Sequence, residues 1–393
     1  QRWPSKGLRQ SLILQLCCML GLMPLSLYWF SYGSINGFIA NLFAIPLVGF
    51  LIVPLSLMTM LLVNCSWSFI LIKPLSWMIS LLFQGLIWTE HLAWINITHA
   101  LPSIEYALCL MGALLLGLVL PIRPFKGIAL IWILLPFIPV GPFIHKGEAL
   151  IQVLDVGQGL AVSVRTAHHV LLYDTGDHFF NGNDLGNLVV LPFYKVLGIK
   201  KIDTIIISHP DKDHIGGLKS IQAGIQVDKV ILNNQGAVCH DHADWEWDGV
   251  KFHFFPIRKA FKDKNNTSCV LQVSTLKGQV LFTGDIEAIA EDYLIQTYGR
   301  QLASKVLIVP HHGSKTSSSY RFLMEVSPQF AIASLGFDNR FGFPHAKTIN
   351  NMQALGIDLY RTDACGMVEF LLPAKGRIKK PSCVTRTTPN WLE

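Results

Sequence analysis

The chain has 393 residues, of which 51% are hydrophobic and 15% charged, with a formal net charge of +6 and a mean hydropathy of +0.41. Soluble chains average about 25% charged residues, so an ordinary soluble protein is excluded, and the length allows two or three domains. The charge is uneven: residues 1–147 carry +5 with only Glu90 and Glu105 as acids, and residues 148–393 carry +1, so the basic balance is weak support for nucleic-acid binding by the second part.

The first part reads as membrane helices. A hydrocarbon core needs about 20 apolar residues per helix. Five stretches qualify: 11–30, 38–63 with Pro46 and Pro54 inside it, 67–89, 106–121 and 128–144. Gly21, Gly33, Gly37, Gly49, Gly85, Gly112 and Gly117 are expected at close helix contacts. Arg2, Lys6 and Arg9 precede the first span, Lys73 lies at the second connection, and Arg123 and Lys126 lie at the fourth. The loops between them lack Lys and Arg, so the head is expected to face the cytoplasm and the second part the outside. With no initiator Met and no signal-peptide layout, the chain is expected to be the rear of a longer protein.

The second part, 148–373, reads as short apolar strands alternating with helices. Strands are expected over 149–153, 160–165 and 170–174, and others end at Ile207, Val273, Thr283, Val309 and Ser334. Helices are expected near 184–197, 217–223, 287–298, 316–326 and 346–355, which together predict sheets covered by helices. The eight cysteines form no CxxC pair, so no disulfide framework is expected and most should be small buried hydrophobes. Residues 374–393 are expected to be a free basic tail.

Possible metal ligands recur just after the predicted strands. His209, Asp211, Asp213 and His214 fall within six residues after Ile205-Ile206-Ile207; Asp285 follows a strand and a glycine turn; His311-His312 and His345 close two later segments. Such a set can hold one or two cations, and a bound cation acidifies water near neutral pH. Asp174, Asp177, His168, His169, His240 and His242 read as turn residues.

The ligand loop resembles that of the metallo-β-lactamase superfamily, usually HxHxDH. The fuller set, DVGQG, DTGD, SHPDKDHIGG, FTGD, PHHGSKTSS and NRFGFPH, resembles the C-terminal domain of the ComEC family of DNA-uptake channels, and Asn36-Gly37, Asn41-Leu42 and Pro46 resemble the end of that family's membrane domain. The resemblance implies a multi-span helical membrane segment followed by an α/β αββα sandwich. It implies DNA uptake across the inner membrane, with the outer domain hydrolysing phosphodiester bonds of the non-transported strand. It makes His209, Asp211, Asp213, His214, Asp285, His311, His312 and His345 the metal ligands, with Asp213 and Asp285 catalytic. DNA, membrane lipid and other competence proteins are the implied partners.

Two departures bear on the metal. Asp211 stands where the usual loop has its second imidazole, and residues 265–268 stand where another is usual. An oxygen-rich site favours Mn²⁺, with Mg²⁺ or Zn²⁺ as alternatives, as one or two ions. The same departures leave open a domain that binds DNA or a structural metal without turnover, or that acts on another phosphodiester. Arg258, Lys259, Lys262 and Lys264 could follow phosphates beside Phe261, whereas Phe252, Phe254 and Phe255 read as buried strand residues.

Overall fold

The structure, a computed structural model, describes residues 3–30, 32–62, 68–97, 101, 104–119, 134, 143–180, 182–232, 239 and 242–384. The chain divides into two compact units that part near residue 140.

In the first unit the uninterrupted apolar sequence forms helices Trp3–Phe30, Asn36–Leu61, Ser68–Glu90 and Ile104–Val119. Leu12–Phe30, Asn36–Leu61 and Ile70–Glu90 are long and apolar enough to cross a membrane. Phe30, Phe50, Leu61 and Trp77 lie exposed on these helices. A helix that is apolar on its outer face needs apolar surroundings rather than water. The expected second span is one helical run that opens into a π-helical turn at Leu47–Ile52, between Pro46 and Pro54, where missing amide hydrogens disturb the regular ladder. The apolar part of the fourth helix, Ile104–Leu114, is shorter than a span. The fifth expected span, 128–144, lies outside the described residues except for 134, 143 and 144. Gly85 does sit at a close helix contact, since a Cβ there would lie 2.7 Å from the Phe43 ring, whereas Gly21 and Gly49 have no neighbour within 4 Å.

The second unit is built on two sheets. One comprises β1 (Ala149–Val153), β2 (Val162–Arg165), β3 (Val170–Tyr173), β4 (Lys201–Ile207), β5 (Gln226–Leu232), β13 (Met367–Leu372) and β14 (Ser382–Val384), in the order β14-β13-β1-β2-β3-β4-β5. The other comprises β6 (Trp245–Trp247), β7 (Val250–Phe255), β8 (Val270–Ser274), β9 (Gln279–Phe282), β10 (Val306–Ile308), β11 (Phe330–Ala333) and β12 (Asp358–Arg361), running in sequence order from one edge to the other. Strand residues alternate between faces. Ile151, Val153, Val162, Tyr173 and Ile206 of the first sheet therefore share one buried core with Phe252, Val273, Phe282, Ile308 and Ile332 of the second. The opposite face of the second sheet, with Leu281, Leu307 and Ala331, packs with Leu294 of helix Ala288–Tyr298 and Phe322 of helix Tyr320–Val326. On the outer face of the first sheet Leu172 and Ile205 are buried, as are Tyr194 and Ile221 of helices Leu191–Val196 and Leu218–Gly224. This is the expected αββα sandwich.

Three expectations are corrected. The helix expected at 316–326 starts at Tyr320, because Ser319 caps it by accepting the Phe322 amide at 3.3 Å. The cysteines of this unit are not merely buried hydrophobes: Cys239 pairs with Cys269 and Cys365 with Cys383 as disulfides, with Cα separations of 5.8 and 4.7 Å. Pairing distant in sequence depends on the fold, which spacing alone does not reveal. The second disulfide and the pairing of β14 with β13 also hold down the part of the basic tail that is described, through residue 384.

Candidate metal centre

The ligand-bearing loops leave β4, β9 and β10, whose C-terminal ends lie at one edge of the sandwich. Close approach of these loops depends on glycine. Gly284 has φ +55°, and a Cβ on it would lie 2.7 Å from Ser268; a Cβ on Gly159 would lie 2.5 Å from the Asp213 carbonyl oxygen. Any larger residue would force the loops apart.

Four side chains converge. Asp213, His214, Asp285 and His312 each offer one ligand atom, all within 4.8 Å of one another. Nε2 of His214 is 3.2 Å from Asp285 Oδ1, and Nε2 of His312 is 3.4 Å from Asp213 Oδ2 and 3.7 Å from Asp285 Oδ2. Nε2 of His209 and of His311 lie 4.0 and 3.9 Å from Asp285 Oδ2. Three of these imidazoles, those of His214, His312 and His209, are held from behind. Asp174 Oδ2 takes His214 Nδ1 at 2.8 Å, the Ser334 carbonyl takes His312 Nδ1 at 2.8 Å, and Ser208 Oγ lies 3.0 Å from His209 Nδ1. A hydrogen bond at Nδ1 leaves Nε2 as the free lone pair, the usual arrangement of a metal-ligating histidine.

The electrostatics fit a cation. Nε2 of His209, His214 and His312 is buried without a hydrogen-bond partner, although buried polar atoms are ordinarily paired. Burial alone would raise the Asp285 carboxyl, but His214, His312 and His209 hold it well below the usual carboxylate range. Asp213 is held low against burial in the same way, by His312 and His214. Burial opposes charge on His214, yet Asp285 and Asp174 raise its pKa well above that of a free imidazole. His312 is raised too, with Asp285 and Asp213 outweighing burial. Two ionised carboxylates facing partnerless imidazole nitrogens are the donor set of a divalent ion, so the residues fit one.

Backbone strain gathers here as well. Asp174, His311 and His312 have φ of +59°, +50° and +53°, a region that costs non-glycine residues roughly 1–2 kcal/mol each. Such outliers persist where the surrounding structure over-determines them, and they cluster at ligand sites.

The other expected residues are placed as follows. Asp211 lies at the rim, 3.5 Å from His209 Nε2, and its carboxylate is in contact with Lys264 Nζ. His345 is not among the four converging side chains: its Nδ1 accepts the Lys347 amide at 3.2 Å and caps helix Ala346–Ala354. Residues 265–268 brace the Asp285 turn, with Asn266 Oδ1 accepting the Glu287 amide at 2.9 Å and Ser268 Oγ accepting the Asp285 amide at 3.1 Å. Arg258, Lys259 and Lys262 are exposed, and Lys259 Nζ lies 5.5 Å from the Phe261 ring. Phe252, Phe254 and Phe255 are buried, as expected.

Sequence reading missed several residues. Asp174 acts on His214 across a β3–β4 pairing, and nothing local marks that. Exposed Phe180 sits under Lys212 Nζ at 5.7 Å, and Arg340 lies 4.9 Å from Phe341, which stacks on Phe343 beside His311. Isolated cations and phenylalanines in loops give no periodic signal.

An αββα sandwich with these ligand loops along one edge is the metallo-β-lactamase fold. Residues 154–336 match the metallo-beta-lactamase superfamily, and residues 1–124 match the competence protein family. The chain is 36% identical over 285 residues to competence protein ComA of Neisseria gonorrhoeae, covering 71% of this chain and 40% of ComA. It is 32% identical over 391 residues to YcaI of Escherichia coli, covering 96% of this chain and 50% of YcaI. It is 31% identical over 394 residues to recombination protein 2 of Haemophilus influenzae, covering 90% and 49%. The chain therefore joins a competence-protein segment to a metallo-β-lactamase domain, and it spans about half the length of these relatives or less.

Proposed function

We propose that the chain serves DNA uptake across the bacterial inner membrane during natural transformation. Residues 1–147 contribute to the membrane path, and the domain 148–373 hydrolyses phosphodiester bonds of the non-transported strand on the outer side. The observation that carries this reading is the convergence of Asp213, His214, Asp285 and His312 in a domain joined to a competence-protein segment.

Asp213, His214, Asp285 and His312 would hold the metal, with His209, Asp211, His311 and His345 around them. When bound, a divalent ion supplies Lewis-acid polarisation of a phosphoryl oxygen and acidified water. The protein's part is to hold ligands and substrate. Asp174 and Ser334 fix the imidazoles, and the brace from Asn266 and Ser268 fixes Asp285. Lys212 with Phe180, Lys259 with Phe261, and Arg340 with Phe341 pair a cation with an aromatic ring, a combination that suits an unpaired strand through phosphate contact and base stacking. DNA, membrane lipid and other competence proteins are the partners of this reading. The two disulfides support placement of the domain outside the cytoplasm, since such bonds persist in oxidising compartments.

Two carboxylates in the convergent set, with no thiolate, favour a hard ion, Mn²⁺ ahead of Mg²⁺ and Zn²⁺. The test is hydrolysis of linear DNA by the purified chain across a metal series. Activity greatest in Mn²⁺ and abolished by EDTA is expected. Mn²⁺ binding without cleavage of DNA would leave a non-catalytic binding domain, and cleavage of small phosphodiesters but not DNA would redirect the substrate.

A further inference from the structure

The two sides of Asp285 are not alike. On one side Asp213, His214 and His312 complete a set of four with it. Outside that set stand His209 and Asp211, with Nε2 of His209 4.0 Å from Asp285 Oδ2 and 3.5 Å from Asp211 Oδ2, and His311, with Nε2 3.9 Å from the same Asp285 oxygen. Residues 265–268 add no donor beside His209 and Asp211. Asn266 is engaged at both ends by Glu287, donating to its carboxylate at 3.1 Å and accepting its amide at 2.9 Å. Ser268 Oγ donates to the Asn265 carbonyl at 2.7 Å and accepts the Asp285 amide. The Asp211 carboxylate is already met by a cation, the Nζ of Lys264, which reaches in from the exposed first residue of the turn Lys264–Thr267.

We propose that the Lys264 ammonium stands in for a second metal ion, so that the centre holds one divalent cation beside one fixed organic cation. The inference rests on the metal-dependent reading above and sets its stoichiometry. An ammonium on Asp211 neutralises the carboxylate beside His209 and repels a divalent ion approaching that imidazole. Lysine is a compact point charge on a flexible stem, and this side chain is 58% exposed. Its tip can turn from Asp211 to a non-bridging oxygen of a phosphodiester held at the neighbouring ion. Lys264 is thus a specificity-determining residue that gives the depleted side positive charge without metal.

The experiment counts Mn²⁺ bound to the full chain by equilibrium dialysis and records the electron paramagnetic resonance spectrum at saturation. Wild type is expected to bind one Mn²⁺ per chain with the resolved hyperfine pattern of an isolated ion. Lys264→Asp, which removes the ammonium and adds an oxygen donor at an exposed position, is expected to bind two with a spin-coupled, broadened spectrum, and Lys264→Arg to stay at one. Two ions in wild type overturn the proposal while leaving the metal-dependent reading standing. One ion in Lys264→Asp likewise overturns it, because the lysine is then not what excludes the second. A wild type that binds no Mn²⁺ overturns both together.

Discussion

Asp174 is fully buried in a left-handed conformation and accepts from the Ser208 amide at 2.7 Å, the Ser208 hydroxyl at 2.7 Å and the His214 ring at 2.8 Å. It touches no atom of the convergent set except through His214. Outer partners of this kind typically change metal affinity by about 10–100-fold. Asp174→Ala should therefore weaken Mn²⁺ binding by roughly that factor, measured by titration calorimetry, and unchanged affinity would reduce Asp174 to a turn residue. Legibility differs among the site residues for physical reasons. Asp213, His214, Asp285 and His312 stand directly after strands, so spacing brought them into view. Asp174 does its work 40 positions away from His214, where only the parallel pairing of β3 with β4 makes them neighbours. His345 matched by position, but its visible bond is to its own helix.

At the scale of elements, helix Ala288–Tyr298 is tied to the segment that follows the two histidines. The Glu291 carboxylate accepts the Ser318 amide at 2.5 Å and the Ser319 amide at 2.9 Å, where helix Tyr320–Val326 begins. Burial pushes this carboxyl up from 4.5 to about 7, overriding the amides, with Asp292 adding to the rise. A folded pKa above the unfolded one means that the folded state holds the proton more firmly. The stabilising contribution is full below pH 4.5 and lost as pH rises through about 7, amounting to about 3 kcal/mol at most. Thermal melts should show wild type losing stability relative to Glu291→Gln across that window, and parallel pH profiles for the two would contradict the assignment. The helices themselves were legible from apolar spacing. The start of Tyr320–Val326 was not, because the Ser317 and Ser319 side chains make backbone bonds that compete with helix and Ser318 has φ +56°.

For the whole molecule, the proposed outer location of the second unit rests on the alternation of Lys and Arg over the expected spans and on the two disulfides. Alkaline phosphatase fused after Glu393 should be active, and a cytoplasmic reporter there silent; the reverse pattern would refute that orientation. The division into an apolar helical part and an α/β part was plain from charge distribution, whereas the disulfides and β14 depended on contacts far apart in sequence. In the proposed function, DNA hydrolysis depends on a divalent ion that Asp285 would help to hold. The most direct test compares Mn²⁺-dependent DNA hydrolysis by wild type and Asp285→Asn, with melting curves recorded for both. An amide keeps the shape but offers one neutral oxygen where the carboxylate offers two charged ones, which weakens a hard-cation site. Wild type is expected to hydrolyse DNA and a folded Asp285→Asn protein to show no hydrolysis; equal rates for the two would refute the proposed function.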